Sequence, residues 1–183
     1  NSENKNFNLV YSSQVTKIDC SAVNNNGFNK TLIPFVEDLK IIDSNISSLD
    51  LSGLDYLTWL TLKNINLENI TLPTNLIYIN LSTNKLTSID LSNQNSLKYI
   101  YLWDNNLTSL RLPNNNKIEY LYLSNNKLSG SLDLSNQDNL VAIGVRENNF
   151  TNIVLPNNQK LESIDFAYNN LSGELDLSNE NNL

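Results

Sequence analysis

Every 19 to 22 residues this chain returns to one frame, apolar-x-x-apolar-x-apolar-x-x-Asn-x-apolar. The clearest copy is Leu97-Lys98-Tyr99-Ile100-Tyr101-Leu102-Trp103-Asp104-Asn105-Asn106-Leu107, and the frame recurs over Ile118 to Leu128, Leu76 to Leu86, Leu161 to Leu171 and Leu140 to Phe150. A unit this short cannot bury its own apolar face. It must stack on copies of itself, so the period predicts a solenoid whose function lies on a repeated surface.

Within the frame, x-apolar-x-apolar sends two apolar side chains to one side only if the backbone is a strand. Successive rungs then make a parallel sheet with strands about 4.8 Å apart. Rungs start near Val15, Val36, Leu57, Leu76, Leu97, Ile118, Leu140 and Leu161, so residues 15–183 read as the array. Residues 1–14, with Phe7, Leu9 and Tyr11 alternating, read as a strand that caps the first rung. Leu183 falls at the start of a further rung, so the array is expected to be cut short at its C-terminal end.

The ninth-place residue, Asn84, Asn105, Asn126, Asn148 or Asn169, should end each strand by offering its amide to backbone groups at the turn. Val23, Ser44 and Ile65 stand there earlier, which predicts a less regular N-terminal third. The return half of each repeat is too short for a helix. Its Ser and Pro alternate through Ser52, Pro73, Ser92, Pro113, Ser135, Pro156 and Ser178, so the unit is a pair of repeats of about 42 residues. Asp50, Asp90, Asp133 and Asp176 fall on Ser rungs, and Thr71, Arg111 and Val154 on Pro rungs. This keeps like charges off adjacent rungs and is expected to set Arg111 between Asp90 and Asp133. Proline in the return path should stop that side from propagating a sheet.

The segment Leu76-Ile77-Tyr78-Ile79-Asn80-Leu81-Ser82-Thr83-Asn84-Lys85-Leu86-Thr87-Ser88-Ile89-Asp90-Leu91-Ser92-Asn93 resembles the short 21-residue class of bacterial leucine-rich repeat proteins sometimes called IRREKO. The likeness covers roughly residues 36 to 183 and extends more weakly from 15. Ile18-Asp19-Cys20 looks like the Leu-Asp-Cys variant of that class, whereas Leu128-Ser129-Gly130 and Leu171-Ser172-Gly173 look like the plant-type repeat. The resemblance implies a curved, right-handed, mostly β superhelix with a parallel concave sheet, short extended or turn segments on the convex side, and few or no helices. It implies a recognition role and names no ligand.

Composition narrows the function. The net charge is −7, with 12 Lys and Arg scattered singly, which disfavours a nucleic-acid partner because phosphate binding needs clustered bases. Without His, and with a single Cys, a metal centre or a Cys-His nucleophile is improbable, so no cofactor is expected. Cys20 takes an inward place and reads as a packed thiol. No run of about 20 apolar residues is present, so no membrane-spanning helix is expected. The start at Asn1-Ser2-Glu3 and the lack of Met suggest a processed or excised fragment, from which any signal peptide has already been removed. Seven Asn-x-Ser/Thr sequons, at Asn29, Asn45, Asn69, Asn80, Asn106, Asn149 and Asn170, mostly follow from the repeat's own turn.

The outward strand places form ladders. The third place reads Lys17, Asp38, Trp59, Tyr78, Tyr99, Tyr120, Ala142, Ser163; the fifth Asp19, Lys40, Thr61, Asn80, Tyr101, Tyr122, Gly144, Asp165; the seventh Ser21, Ile42, Lys63, Ser82, Trp103, Ser124, Arg146, Ala167. Trp59, Tyr78, Tyr99, Tyr101, Trp103, Tyr120 and Tyr122 therefore share one face, where burial cannot account for them. Strand propensity and cross-strand stacking are the bland explanation. Their confinement to adjacent rungs favours a binding patch, with Lys63, Lys98, Asp104, Glu119, Arg146 and Glu147 as its rim and Ala142 and Gly144 as a step at one end. Glu37, Asp38 and Asp43 gather three carboxylates near one rung, but an open sheet offers no enclosing pocket for a glycosidase pair. The expectation is a non-enzymatic, secreted or surface-exposed module, associated with the outer membrane in a Gram-negative cell. It would bind a protein or peptide on its aromatic face, with a glycan ligand or a spacer role in a surface assembly as alternatives.

Overall fold

The computed structural model describes residues 15–23, 28–173, 177 and 182. The expected cap over 1–14, the return positions Asp176 and Ser178, and Leu183 lie outside them. Fourteen strands occupy the described residues in chain order: β1 (Lys17–Ser21), β2 (Asp38–Ile42), β3 (Ser48–Asp50), β4 (Trp59–Lys63), β5 (Asn69–Thr71), β6 (Tyr78–Asn80), β7 (Ser88–Asp90), β8 (Tyr99–Tyr101), β9 (Ser109–Arg111), β10 (Tyr120–Tyr122), β11 (Ser129–Asp133), β12 (Ala142–Gly144), β13 (Asn149–Val154) and β14 (Ser163–Asp165). One 3-10 turn, Lys30–Leu32, is the only helical element among them.

β1, β2, β4, β6, β8, β10, β12 and β14 form one eight-stranded parallel sheet in rung order. The register joins equal places of the frame: Tyr78 faces Tyr99, which faces Tyr120, which faces Ala142. The protein is thus a parallel β-solenoid. Its interior is a column of the first, fourth and sixth places, in which Leu97, Ile100, Leu102, Leu121 and Leu123 are fully buried. Burying each such side chain contributes about 1.5–3 kcal/mol, and each rung completes that burial only by stacking on its neighbours. Cys20 is partly buried, and burial pushes its thiol pKa up, so it packs as a neutral hydrophobe.

The ninth-place asparagines do more than end a strand. Asn84, Asn105 and Asn126 are buried, each 8% exposed, and each amide bridges its own rung to the preceding one. Asn105 Oδ1 accepts the Leu86 N–H at 3.1 Å, while its Nδ2 donates to the carbonyls of Leu81 at 2.9 Å and Leu102 at 3.1 Å. Asn126 repeats this on Leu107, Leu102 and Leu123, and Asn148 on Leu128, Leu123 and Val145. The residue just before this place takes a left-handed φ in every described rung, from Asp43 at 48° to Thr83 at 57°. That turn carries the chain out of the sheet.

The N-terminal third differs from expectation. Among its described residues, β1, β2 and β4 run five residues where later sheet strands run three. The ninth places of the first two rungs are Val23 and Ser44 and supply no amide, whereas β4 keeps five residues although Asn84 Nδ2 donates to its Leu62 carbonyl at 2.7 Å. Ser44 serves the turn with one hydroxyl, accepting from Val23 N–H at 3.0 Å and donating to Ile42 C=O at 2.8 Å.

The return segments pair two by two, β3 with β5, β7 with β9 and β11 with β13. Each pair joins a Ser rung to the Pro rung that follows. The Ser-rung aspartates fold back on their own turns, Asp50, Asp90 and Asp133 each accepting the N–H two residues on at 2.9 Å. This corrects the expected place of Arg111. It reaches Asp90 at 3.5 Å within its pair, and β9 and β11 are not paired, so Arg111 does not bridge onward to Asp133.

Asn105→Ala strands one buried N–H and weakens two carbonyls. It should lower stability by roughly 2–4 kcal/mol in urea unfolding, whereas Asn106→Ala next to it should stay within about 0.5 kcal/mol. Equal effects at the two sites would remove the amide ladder from the account.

Candidate functional site

The predicted aromatic residues come together on the outer face of the eight-stranded sheet. Trp59 and Tyr78 stack at 4.4 Å and 3°. Tyr99 stacks on Tyr120 at 5.7 Å and 29°, and Tyr101 on Tyr122 at 5.3 Å and 16°. Tilted contacts from Tyr78 to Tyr99 and Tyr101, and from Trp59 to Tyr99, tie these pairs into one cluster. The spacing follows from the sheet: parallel strands in register hold equivalent side chains about 4.8 Å apart, close to a ring-stacking distance.

Trp103 is placed differently. Lys63 Nζ, two rungs away, lies 5.0 Å from its ring centroid and reaches over Ser82, which is fully buried between them. Trp103 thus joins the face through a cation, not through a ring. Asn80 fills the space below Tyr101 in the fifth-place ladder, its Oδ1 accepting both the N–H and the hydroxyl of Ser82 at 3.0 and 2.7 Å.

The rim splits into separate pairs. Lys98 Nζ meets Glu119 Oε1 at 2.8 Å, and Asp104 Oδ1 accepts from Asn125 Nδ2 at 2.6 Å. Arg146 Nε meets Glu147 Oε1 at 3.0 Å, and its guanidinium lies 4.4 Å from the ring of Tyr168. Lys98 holds the Glu119 carboxyl below the usual range, and Glu119 in turn raises the pKa of the Tyr99 hydroxyl. Burial among its neighbours raises that of Tyr101. Of the three carboxylates near the second rung, Asp38 is paired with Lys17 at 2.7 Å and Asp43 accepts from Asn64 at 2.9 Å.

Two features escaped the outward ladders. Tyr168, 70% exposed, sits at the left-handed turn position, outside the third, fifth and seventh places. Phe35 and Tyr56, 5.5 Å apart and exposed, directly precede the first places Val36 and Leu57, and aligning that position would have found them. The step at Ala142 and Gly144 is also not bare. β12 is buried throughout, because the Cδ1–Cε1 edge of Tyr122 leans over Gly144, where a Cβ would come within 2.8 Å of it.

At the other end of the sheet, Lys17 pairs with Asp38 and Lys40 with Asp19 at 2.8 Å, so crossed charges neutralise the first two rungs. The face therefore runs from ion pairs, through rings, to small residues. Fold and face together define a repeat β-solenoid with one aromatic sheet surface. No protein-family model matches the sequence, and no curated protein matches it. Among the described residues, no helix is long and apolar enough to cross a membrane.

A phenol whose folded-state pKa lies above the unfolded value near 10 favours the neutral form. Its contribution to stability is complete below that value and is lost as pH rises through the folded one. Ring NMR titration should show Tyr99 and Tyr101 ionising above pH 10, with stability falling over the same range. Glu119→Gln should lower the midpoint of Tyr99 and spare that of Tyr101. An unmoved Tyr99 midpoint would contradict the coupling to Glu119.

Proposed function

We propose that this β-solenoid is a non-catalytic binding module of the bacterial leucine-rich repeat class, displayed at the cell surface or secreted, which recognises a protein or peptide partner through its aromatic face. The observation that carries the reading is the continuous ring cluster from Trp59 to Tyr122 on one side of a rigid sheet. Rigid aromatic area loses little conformational entropy on binding, and tyrosine hydroxyls at its rim can orient a partner's polar groups. The leucine-rich class is supported by the frame of Leu76 to Asn93 and by the buried asparagines that recur at one place in it.

A peptide or protein suits this surface better than a sugar. Sugar rings dock on free aromatic faces, but here neighbouring rings and Lys63 cover many of the faces. An open sheet face also lacks the enclosure that would exclude water from a reaction.

The test is capture of partners from the source cell's surface fraction, beside a glycan array. Tyr101→Ala with Trp103→Ala should abolish protein capture by tenfold or more while costing little stability, since neither side chain belongs to the column of leucines. Selective glycan retention that disappears in the same double variant would defeat the protein reading, and unchanged capture would dismiss the face altogether.

A further inference from the structure

The return side of the solenoid holds two matching clefts. Where the β3–β5 pair ends and the β7–β9 pair begins, main-chain bonding stops: Lys85 N–H still reaches Leu67 C=O at 2.8 Å, but among the described residues no such bond joins β5 to β7. The next break repeats this, with Lys127 N–H on Leu107 C=O at 2.9 Å and then none between β9 and β11. A cavity of about 560 Å³ opens at the first break and one of about 460 Å³ at the second. Both fall in the size range that ligands and short peptide segments fill.

The two clefts are walled alike. Ile70 and Leu72 line the first and Leu110 and Leu112 the second, all four only partly buried. In β5, Asn69 gives its N–H to Ser47 and Thr71 accepts one from Leu51, so both residues are engaged with β3. Alternate residues of a strand direct their N–H and C=O to opposite edges. Those of Ile70 therefore turn toward the first cleft and, by the same register with β7, those of Leu110 toward the second. Every charge lining either cleft is a carboxylate, Asp50, Glu68 and Asp90 in the first and Asp133 in the second. Lys30 and Arg111 pair with Asp50 and Asp90 at 2.6 and 3.5 Å, while Glu68 and Asp133 have no ion pair among the described residues.

We propose that these clefts bind an extended, basic peptide segment of a partner protein, which lies along the free edge of β5 or β9 as a third strand. Strand addition draws its affinity from main-chain bonds to an unpaired edge, which both breaks supply. The period of two in such a peptide sets alternate apolar side chains on the half-buried floor and basic ones toward the carboxylate rim. The net charge of −7 favours the same sign of partner. The clefts lie on the return strands and the rings on the eight-stranded sheet, so this site is separate from the aromatic face, and failure of either reading leaves the other standing.

The probe is the peptide acetyl-Thr-Lys-Val-Lys-Val-Thr-amide, titrated into the isotope-labelled protein by NMR. It should give saturable shifts of the Ile70, Ser88, Leu110 and Ser129 amides and leave the indole N–H groups of Trp59 and Trp103 in place. Methylating its four central amide nitrogens removes the donors and keeps the side chains, and should weaken binding about tenfold or more, as should replacing both lysines by glutamate. Glu68→Lys, an exposed substitution, should weaken the first cleft severalfold and spare the second. Shifts confined to the aromatic face, no saturable shift at millimolar peptide, equal binding by the methylated or the glutamate peptide, or an unchanged first cleft in Glu68→Lys would each overturn the inference.

Discussion

The structure depends on one buried amide, repeated. A solenoid turn must take the chain out of the sheet while its backbone N–H and C=O groups are still inside the protein, and unpaired buried groups are costly. The ninth-place asparagine resolves this with both ends of its side chain. Oδ1 takes an N–H from the preceding rung, and Nδ2 feeds one carbonyl from that rung and one from its own. Leucine burial makes stacking favourable but non-directional. The amide fixes the register, because a slip by one residue would leave its donors and acceptor facing apolar atoms.

Where that amide is missing, the consequence is visible. The first rungs extend their strands to five residues and use Ser44 for part of the task. The rung of Ile65 has no polar side chain of its own at this place, and Asn84 from the next rung covers it, accepting from the N–H groups of both Ile65 and Leu67. Each rung thus leans on the one that follows it, so stability in such an array is a chain of nearest-neighbour terms.

Much of this was legible in the sequence, because the inward places and the asparagines obey a strict period. The sheet register, the buried column and the shared face of Trp59, Tyr78, Tyr99, Tyr101, Trp103, Tyr120 and Tyr122 all follow from counting along the frame. What counting could not supply is where a long side chain goes after its Cβ. Lys63 crosses two rungs to Trp103, and Arg146 turns to Tyr168. Tyr122 leans into the space of Gly144 and closes a step that reads as open on paper. The pairing of return strands was half visible: the alternation of Ser and Pro marks a two-rung unit, but not which neighbour each strand chooses.

That choice has a physical cause. On a Ser rung the N–H after the aspartate crosses to the Pro rung, as Leu51 does to Thr71, Leu91 to Arg111 and Leu134 to Val154, all at 2.8 Å. On a Pro rung, Pro73, Pro113 and Pro156 replace the serine whose N–H the aspartate accepts, so that turn is not built, and β5 and β9 pair with no following return strand. Side chains report the break: Leu51, Leu91 and Leu134 on Ser rungs are buried, while Leu72, Leu112 and Leu155 on Pro rungs are only partly so. The return wall is thus opened every second rung, and the continuous sheet is left to one side alone. Stacked rings need an uninterrupted ladder at constant spacing. Only the eight-stranded side provides it, which is why the aromatic residues can form one surface there and could not form one on the other.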